Sequence, residues 1–127
     1  MFDAKLVETA NKLVANCREG REMQGLDELY DPNAVSVEAA PMQEGGEAEM
    51  RGVDAIKGKH EWWNSAFEVH SAKVEGPFFH GPDRFGVIFE IDATNRETKE
   101  RTPMKELAVY TVKDGKILRE EFFYNMG

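Results

Sequence analysis

The sequence predicts an α+β fold, with helices gathered in the first half and an antiparallel sheet in the second. Apolar residues recur every three or four positions over residues 3–17 and 53–67, the period of a helix buried on one face. From residue 69 onward they alternate, which is the period of a strand. Residues 101–124 hold two such runs around Lys113-Asp114-Gly115-Lys116. Asp-Gly between strand-like segments is a strong hairpin signal, because both residues accept the positive φ of a tight turn. Helices followed by runs of strands give α+β and not a wound α/β sheet.

Taken in order, the first helix carries Leu6, Val7, Ala10, Leu13, Val14 and Cys17 on one stripe, with Asp3 as its cap and Gly20 as its stop. A short second helix groups Met23, Leu26, Leu29 and Tyr30, and Asp31-Pro32-Asn33 ends it because a residue before proline leaves the α region. Residues 34–38 then read as a short strand. Residues 41–50 are an acidic, glycine-containing loop, expected to be solvated, with a lid as the alternative. The third helix aligns Ile56, His60, Trp63 and Phe67. Residues 69–74 form a strand closed by Gly76-Pro77, and residues 85–93 form another. In the terminal hairpin, Leu107, Val109 and Thr111 alternate with Glu106, Ala108 and Tyr110, and Leu118, Glu120, Phe122 and Tyr124 share the face opposite Ile117, Arg119, Glu121 and Phe123. Glu106, Ala108, Tyr110, Arg119, Glu121 and Phe123 are expected on the outer face.

Composition narrows the function. The 127 residues are 41% hydrophobic and 31% charged, ordinary for one globular domain. A net charge of −8 and a pI near 4.9 argue against nucleic acid or anionic membrane as a partner, since both need clustered Lys and Arg. No apolar run approaches the ~20 residues of a membrane span. The N-terminal residues lack the basic-then-apolar pattern of a secretory signal. A lone Cys17 forbids an internal disulfide and fits a reducing compartment, so a cytoplasmic location is expected. His60, His70 and His80 lack paired ligand spacing, so neither a metal nor a cofactor is expected.

Three segments carry a resemblance: LYDPNAVSVE, RGVDAIKGKHEWW and YTVKDGKILREEFFY, in that order. Together they resemble the SnoaL-like domains of the nuclear-transport-factor-2-like superfamily. The resemblance implies a cystatin-like, cone-shaped curved antiparallel sheet wrapped on the N-terminal helices, with an apolar cavity at its open end. It implies a small apolar or aromatic ligand and activities such as isomerase, cyclase or lyase. The alternative is a non-catalytic ligand-binding or dimerisation domain. Matched to the ketosteroid isomerases of the superfamily, the base position falls on Ala39 beside Glu38, the tyrosine on Leu13 and the acid on Lys105. None of the three catalytic groups is present there, so isomerase chemistry of that kind is not expected.

The same matching implies a ligand site of Leu13, His60, Trp63, Phe85, Val87, Phe89, Lys105, Leu107, Glu120, Phe122 and Tyr124. His60, Lys105 and Glu120 are its catalytic candidates, because they can carry a proton or hold a charge in an apolar bed. Lys105 in place of an acid implies a ligand with an anionic or oxygen-rich end. The mixed outer face, with Ile88, Ala108, Tyr110 and Phe123, implies a homodimer.

Overall fold

The computed structural model describes residues 3–41 and 45–125. The elements are α1 (Ala4–Arg18), α2 (Glu22–Leu29), β1 (Tyr30–Val37), β2 (Glu49–Arg51) and α3 (Val53–Ala66). They are followed by β3 (Phe67–His80), β4 (Arg84–Asn95), β5 (Arg101–Lys113) and β6 (Lys116–Phe123). The six strands form one curved, unclosed sheet in the order β2-β1-β6-β5-β4-β3, with the three helices packed on it. β3 to β6 are antiparallel neighbours, as the late alternation predicts. β1 joins β6 in parallel, so the sheet is not wholly antiparallel. No helix among the described residues is long and apolar enough to cross a membrane.

The sequence signals map onto this frame closely at the termini of elements. Asp3 accepts the Lys5 N–H at 3.4 Å to cap α1, and Gly20 leaves the helix with φ +69°. Asp114 and Gly115 turn β5 into β6 with φ +52° and +79°, the two positive values of a type I′ turn. The α1 stripe of Leu6, Ala10, Leu13 and Val14 is buried against Phe85, Val87, Ala108, Tyr110 and Ile117 of the sheet. Within that core Phe85 and Tyr110 stack with centroids 4.8 Å apart.

Three boundaries differ from expectation. β1 begins at Tyr30 and passes through Pro32, because the slip of its pairing with β6 between Tyr30 and Val35 leaves that stretch out of the ladder. β3 likewise continues through the cis Gly76–Pro77 bond, with a register shift between Glu75 and Phe78. The expected loop 41–50 ends in β2, which pairs with β1, and Glu38 N–H donates to Ala48 O at 2.8 Å. Met42, Gln43 and Glu44, on which the lid alternative depends, lie outside the described residues.

A fourth difference decides which side chains reach the interior. Lys113 pairs with Lys116 and Val112 with Ile117, but Thr111 pairs with Arg119. Leu118 is therefore an extra residue, a bulge one step from the turn. A one-residue slip exchanges the faces of one strand relative to its partner. Tyr110 consequently stands opposite Glu120, and Ala108 opposite Phe122, all on the inner face. Leu107 stands opposite Phe123 on the outer face, and they are 40% and 51% exposed. The inward assignment of Lys105 and Leu107 is thereby corrected, and so is the outward assignment of Glu106, Ala108 and Tyr110. An uninterrupted ladder from the same turn would have put Leu107 beside Phe122.

Candidate functional site

Glu120 lies at the bottom of the site, 1% exposed on β6. The sheet places Ser36 of β1 on one side of it and Tyr110 of β5 on the other. A buried carboxylate is tolerated only when donors surround it. Ser36 Oγ–H donates to its Oε2 at 2.6 Å, and the Tyr30 hydroxyl donates to Oε1. Lys59 reaches down from α3, donates to Ser36 Oγ and sits 3.5 Å from Glu120 Oε2. Its ammonium also lies 4.5 Å from the centre of the Phe122 ring and 3.8 Å from Glu38 Oε1. The Lys59 side chain is 7% exposed.

Helical geometry explains Lys59. Ile56, Lys59, His60 and Trp63 are spaced i, i+3, i+4, i+7, so they share the face turned to the sheet. The sequence stripe of Ile56, His60, Trp63 and Phe67 leaves Lys59 out. The signal available was the inward Glu120, which demanded a cation or donors from a facing element.

Above this pair stand two further carboxyls, Glu38 after β1 and Glu106 on β5. Burial first, and then the charge of Glu38, pushes Glu106 up to about 7, against the pull of Lys59. Burial also raises Glu38, opposed by Lys59 and reinforced by Glu120. Oε2 of Glu38 is buried with no hydrogen-bond partner among the described residues. Tyr124 sits beside both carboxyls. Burial and their charge raise its hydroxyl, and backbone hydrogen bonds from Ala39 and Ala40 oppose the shift. Three carboxyls thus meet one ammonium, in a setting where two of them hold their protons unusually tightly.

The remaining predicted residues divide by position. Leu13, Phe85 and Val87 are packed in the core. Phe89 and Phe122 are partly buried against it, and Trp63 stacks on Phe67 with centroids 4.2 Å apart. His60 is on the inward face of α3, and burial lowers its basicity, so it is neutral at pH 7. Lys105 is on the outer side of β5, 67% exposed and 3.5 Å from Glu90, so it takes no part in this site. With Ser71, Lys73, Met104 and neighbours it lines a separate open groove of about 400 Å³ across β3, β4 and β5. Burial pushes the Cys17 thiol up to about 12, which fits an unreactive packing residue. Among the described residues, no group of three or more His, Cys, Asp or Glu could hold a metal ion.

The bulge also changes the comparison with isomerase chemistry. The positions matched to a base and an acid were Ala39 and Lys105. Their immediate neighbours Glu38 and Glu106 are the residues whose carboxyls couple to Lys59 in the interior. The tyrosine position remains filled by Leu13.

Residues 6–124 match the SnoaL-like domain family. A Mesorhizobium loti protein assigned to the SnoaL-like polyketide cyclases superposes with a TM-score of 0.85 at 36% identity, covering 93% of this chain and 97% of that one. A Bacillus subtilis protein assigned as an isomerase gives 0.74 at 25% identity, with coverage of 95% and 86%. Mycobacterium tuberculosis Rv0760c, solved with estradiol-17beta-hemisuccinate, gives 0.74 at 13% identity, with coverage of 98% and 96%. No curated protein matches the chain.

Proposed function

The chain belongs to the SnoaL-like domain family, and from that premise we propose that it moves a proton on a small cyclic carbonyl compound, with Glu38 as base and Glu106 as acid. Family membership alone leaves the chemistry open, because the fold carries many activities. The observation that supports this reading is the pair of inward carboxyls, one touching Lys59 and the other pushed up to about 7. Two titratable groups in unlike surroundings are what acid–base division of labour requires.

In the proposed step the Glu38 carboxylate takes a proton from the carbon beside the carbonyl. The C–H electron pair forms the enol double bond, and the carbonyl π pair moves onto oxygen. The protonated Glu106 carboxyl donates a hydrogen bond to that oxygen as negative charge gathers there. Return of the proton to a different carbon completes an isomerisation. Phe89, Phe122 and Trp63 supply an apolar bed for the ring. A carboxylate on the ligand would meet Glu38 and Glu106 without Lys105 to offset them, so of the anionic or oxygen-rich ends expected from sequence this reading keeps the uncharged, oxygen-bearing one.

β-Tetralone in D2O tests this, with deuterium uptake read by mass spectrometry. Exchange should exceed the buffer rate and fall by ~10²–10⁴-fold in Glu38→Gln and in Glu106→Gln. Wild-type exchange at the buffer rate, or full exchange in Glu106→Gln, would refute the reading.

The assembly we propose is a homodimer through the outer sheet face. Its apolar residues are Phe78, Ile88, Leu107, Val109 and Phe123, with Phe78 53% exposed. Ala108 and Tyr110, assigned to this face from sequence, are in the core instead.

A further inference from the structure

We infer that Lys59 is a positioning residue for the Glu38 base, holding its Oε1 and leaving Oε2 as the oxygen that receives the substrate proton. The inference rests on the proton-transfer reading above and adds to it the role of the buried ion pair, which touches no reacting atom itself.

Glu120 accepts from Tyr30, Ser36 and Lys59, so each of its oxygens already has a donor, and at 1% exposure it is shielded from a ligand. Its negative charge keeps the Lys59 cation in an apolar site where a lone ammonium would be driven neutral or outward. Ser36 fixes where that cation stands, because its hydroxyl accepts from Lys59 while donating to Glu120. From that fixed point the ammonium is 3.8 Å from Oε1 of Glu38. Oε2 of the same carboxyl is buried and has no partner among the described residues. A buried, unpaired carboxylate oxygen is a costly feature that calls for a ligand group or a proton. Lys59 therefore determines which oxygen is free.

It also sets the acidity. The charged and titratable groups facing Glu38 are Lys59 from α3, Glu120 from β6, Glu106 from β5 and Tyr124 beyond β6. Of these, Lys59 favours the ionised form of Glu38 and Glu120 opposes it. The two members of the buried pair hence pull the base in opposite directions. A residue that merely filled space would not show this sign difference.

The test is titration of the Glu38 side-chain carboxyl by carbon-detected NMR in three proteins: wild type, Glu120→Gln, and the double variant Lys59→Met/Glu120→Gln. The double variant removes both members of the pair, so neither is left as a buried charge facing the other's empty place. Glu120→Gln should move the Glu38 midpoint down. The double variant should raise it by about one pH unit above that of Glu120→Gln, since a cation at this distance acts on that scale. The acidic limb of β-tetralone exchange should move with the midpoint. Midpoints that agree in all three proteins, or a double variant whose midpoint does not lie above that of Glu120→Gln, overturn the inference. Midpoints that move as stated while wild type shows no exchange would count against the proton-transfer reading alone.

Discussion

Replacing Lys59 with Met removes the cation that contacts the Glu120 and Glu38 carboxyls. At an effective dielectric constant of about 20, unit charges 3.5 Å apart attract by ~5 kcal/mol and charges 3.8 Å apart by ~4 kcal/mol. Returning the ammonium to water on unfolding recovers several kcal/mol of hydration, which offsets much of that sum. The residue of this subtraction agrees with the ~3–5 kcal/mol found when one partner of a buried pair is deleted. Met preserves most of the stem and its packing on Phe122, so the loss is electrostatic. Equilibrium urea unfolding followed by circular dichroism reads it out. With a slope of ~2 kcal/mol per molar, the midpoint should fall by about 2 M at pH 8. At pH 5 the fall should be smaller, because Glu106, pushed up to about 7, holds its proton there and needs no counter-charge. Adding Glu120→Gln should restore most of the loss. A midpoint lowered by less than about 0.5 M, or a double variant no more stable than the single one, would show that Lys59 is not a buried counter-ion.

Two other outcomes follow from the same structure. The Glu106 carboxyl ionises near 4.5 when unfolded and at about 7 when folded, so between those values the folded state binds the extra proton. Stability should therefore fall as pH rises through that window, by up to ~3 kcal/mol from Glu106, and Glu106→Gln should remove that part, leaving the smaller fall that the raised Glu38 contributes. Urea midpoints at pH 4.5 and pH 8 check this; equal slopes in both proteins would contradict it. On the outer face, Phe123→Glu should give a monomer by size exclusion with light scattering, whereas a wild type already monomeric at micromolar concentration would remove the proposed dimer.

The element types were legible because each rests on local chemistry. Asp114-Gly115 specifies a turn wherever it occurs between strands, and the stripe from Leu6 to Val14 needs only a helix to make sense. The content of the site was less legible. The bulge at Leu118 has no signature, since leucine is not selected by a bulge the way glycine is by a left-handed turn. Its effect nevertheless crosses the whole hairpin, exchanging Lys105 for Glu106 and turning Tyr110 from surface into core. Lys59 was missed for a different reason: a lysine among Lys57 and Glu61 reads as solvated, and only the far-off Glu120 gives it cause to turn inward. The paths of β1 through Pro32 and of β3 through Pro77 depend on register slips that no local pattern records. Glu120 and Phe122 kept their assigned side because the alternation within β6 beyond the bulge is regular.

The central claim is that Glu106 faces the interior as a carboxylic acid still protonated near neutral pH. Titration of its side-chain carboxyl by carbon-detected NMR, with assignment confirmed by loss of the signal in Glu106→Gln, addresses that directly. The account predicts a midpoint near 7. A midpoint close to the ordinary glutamate value of about 4.3 would contradict it, and with it the pairing of Glu38 and Glu106 as base and acid.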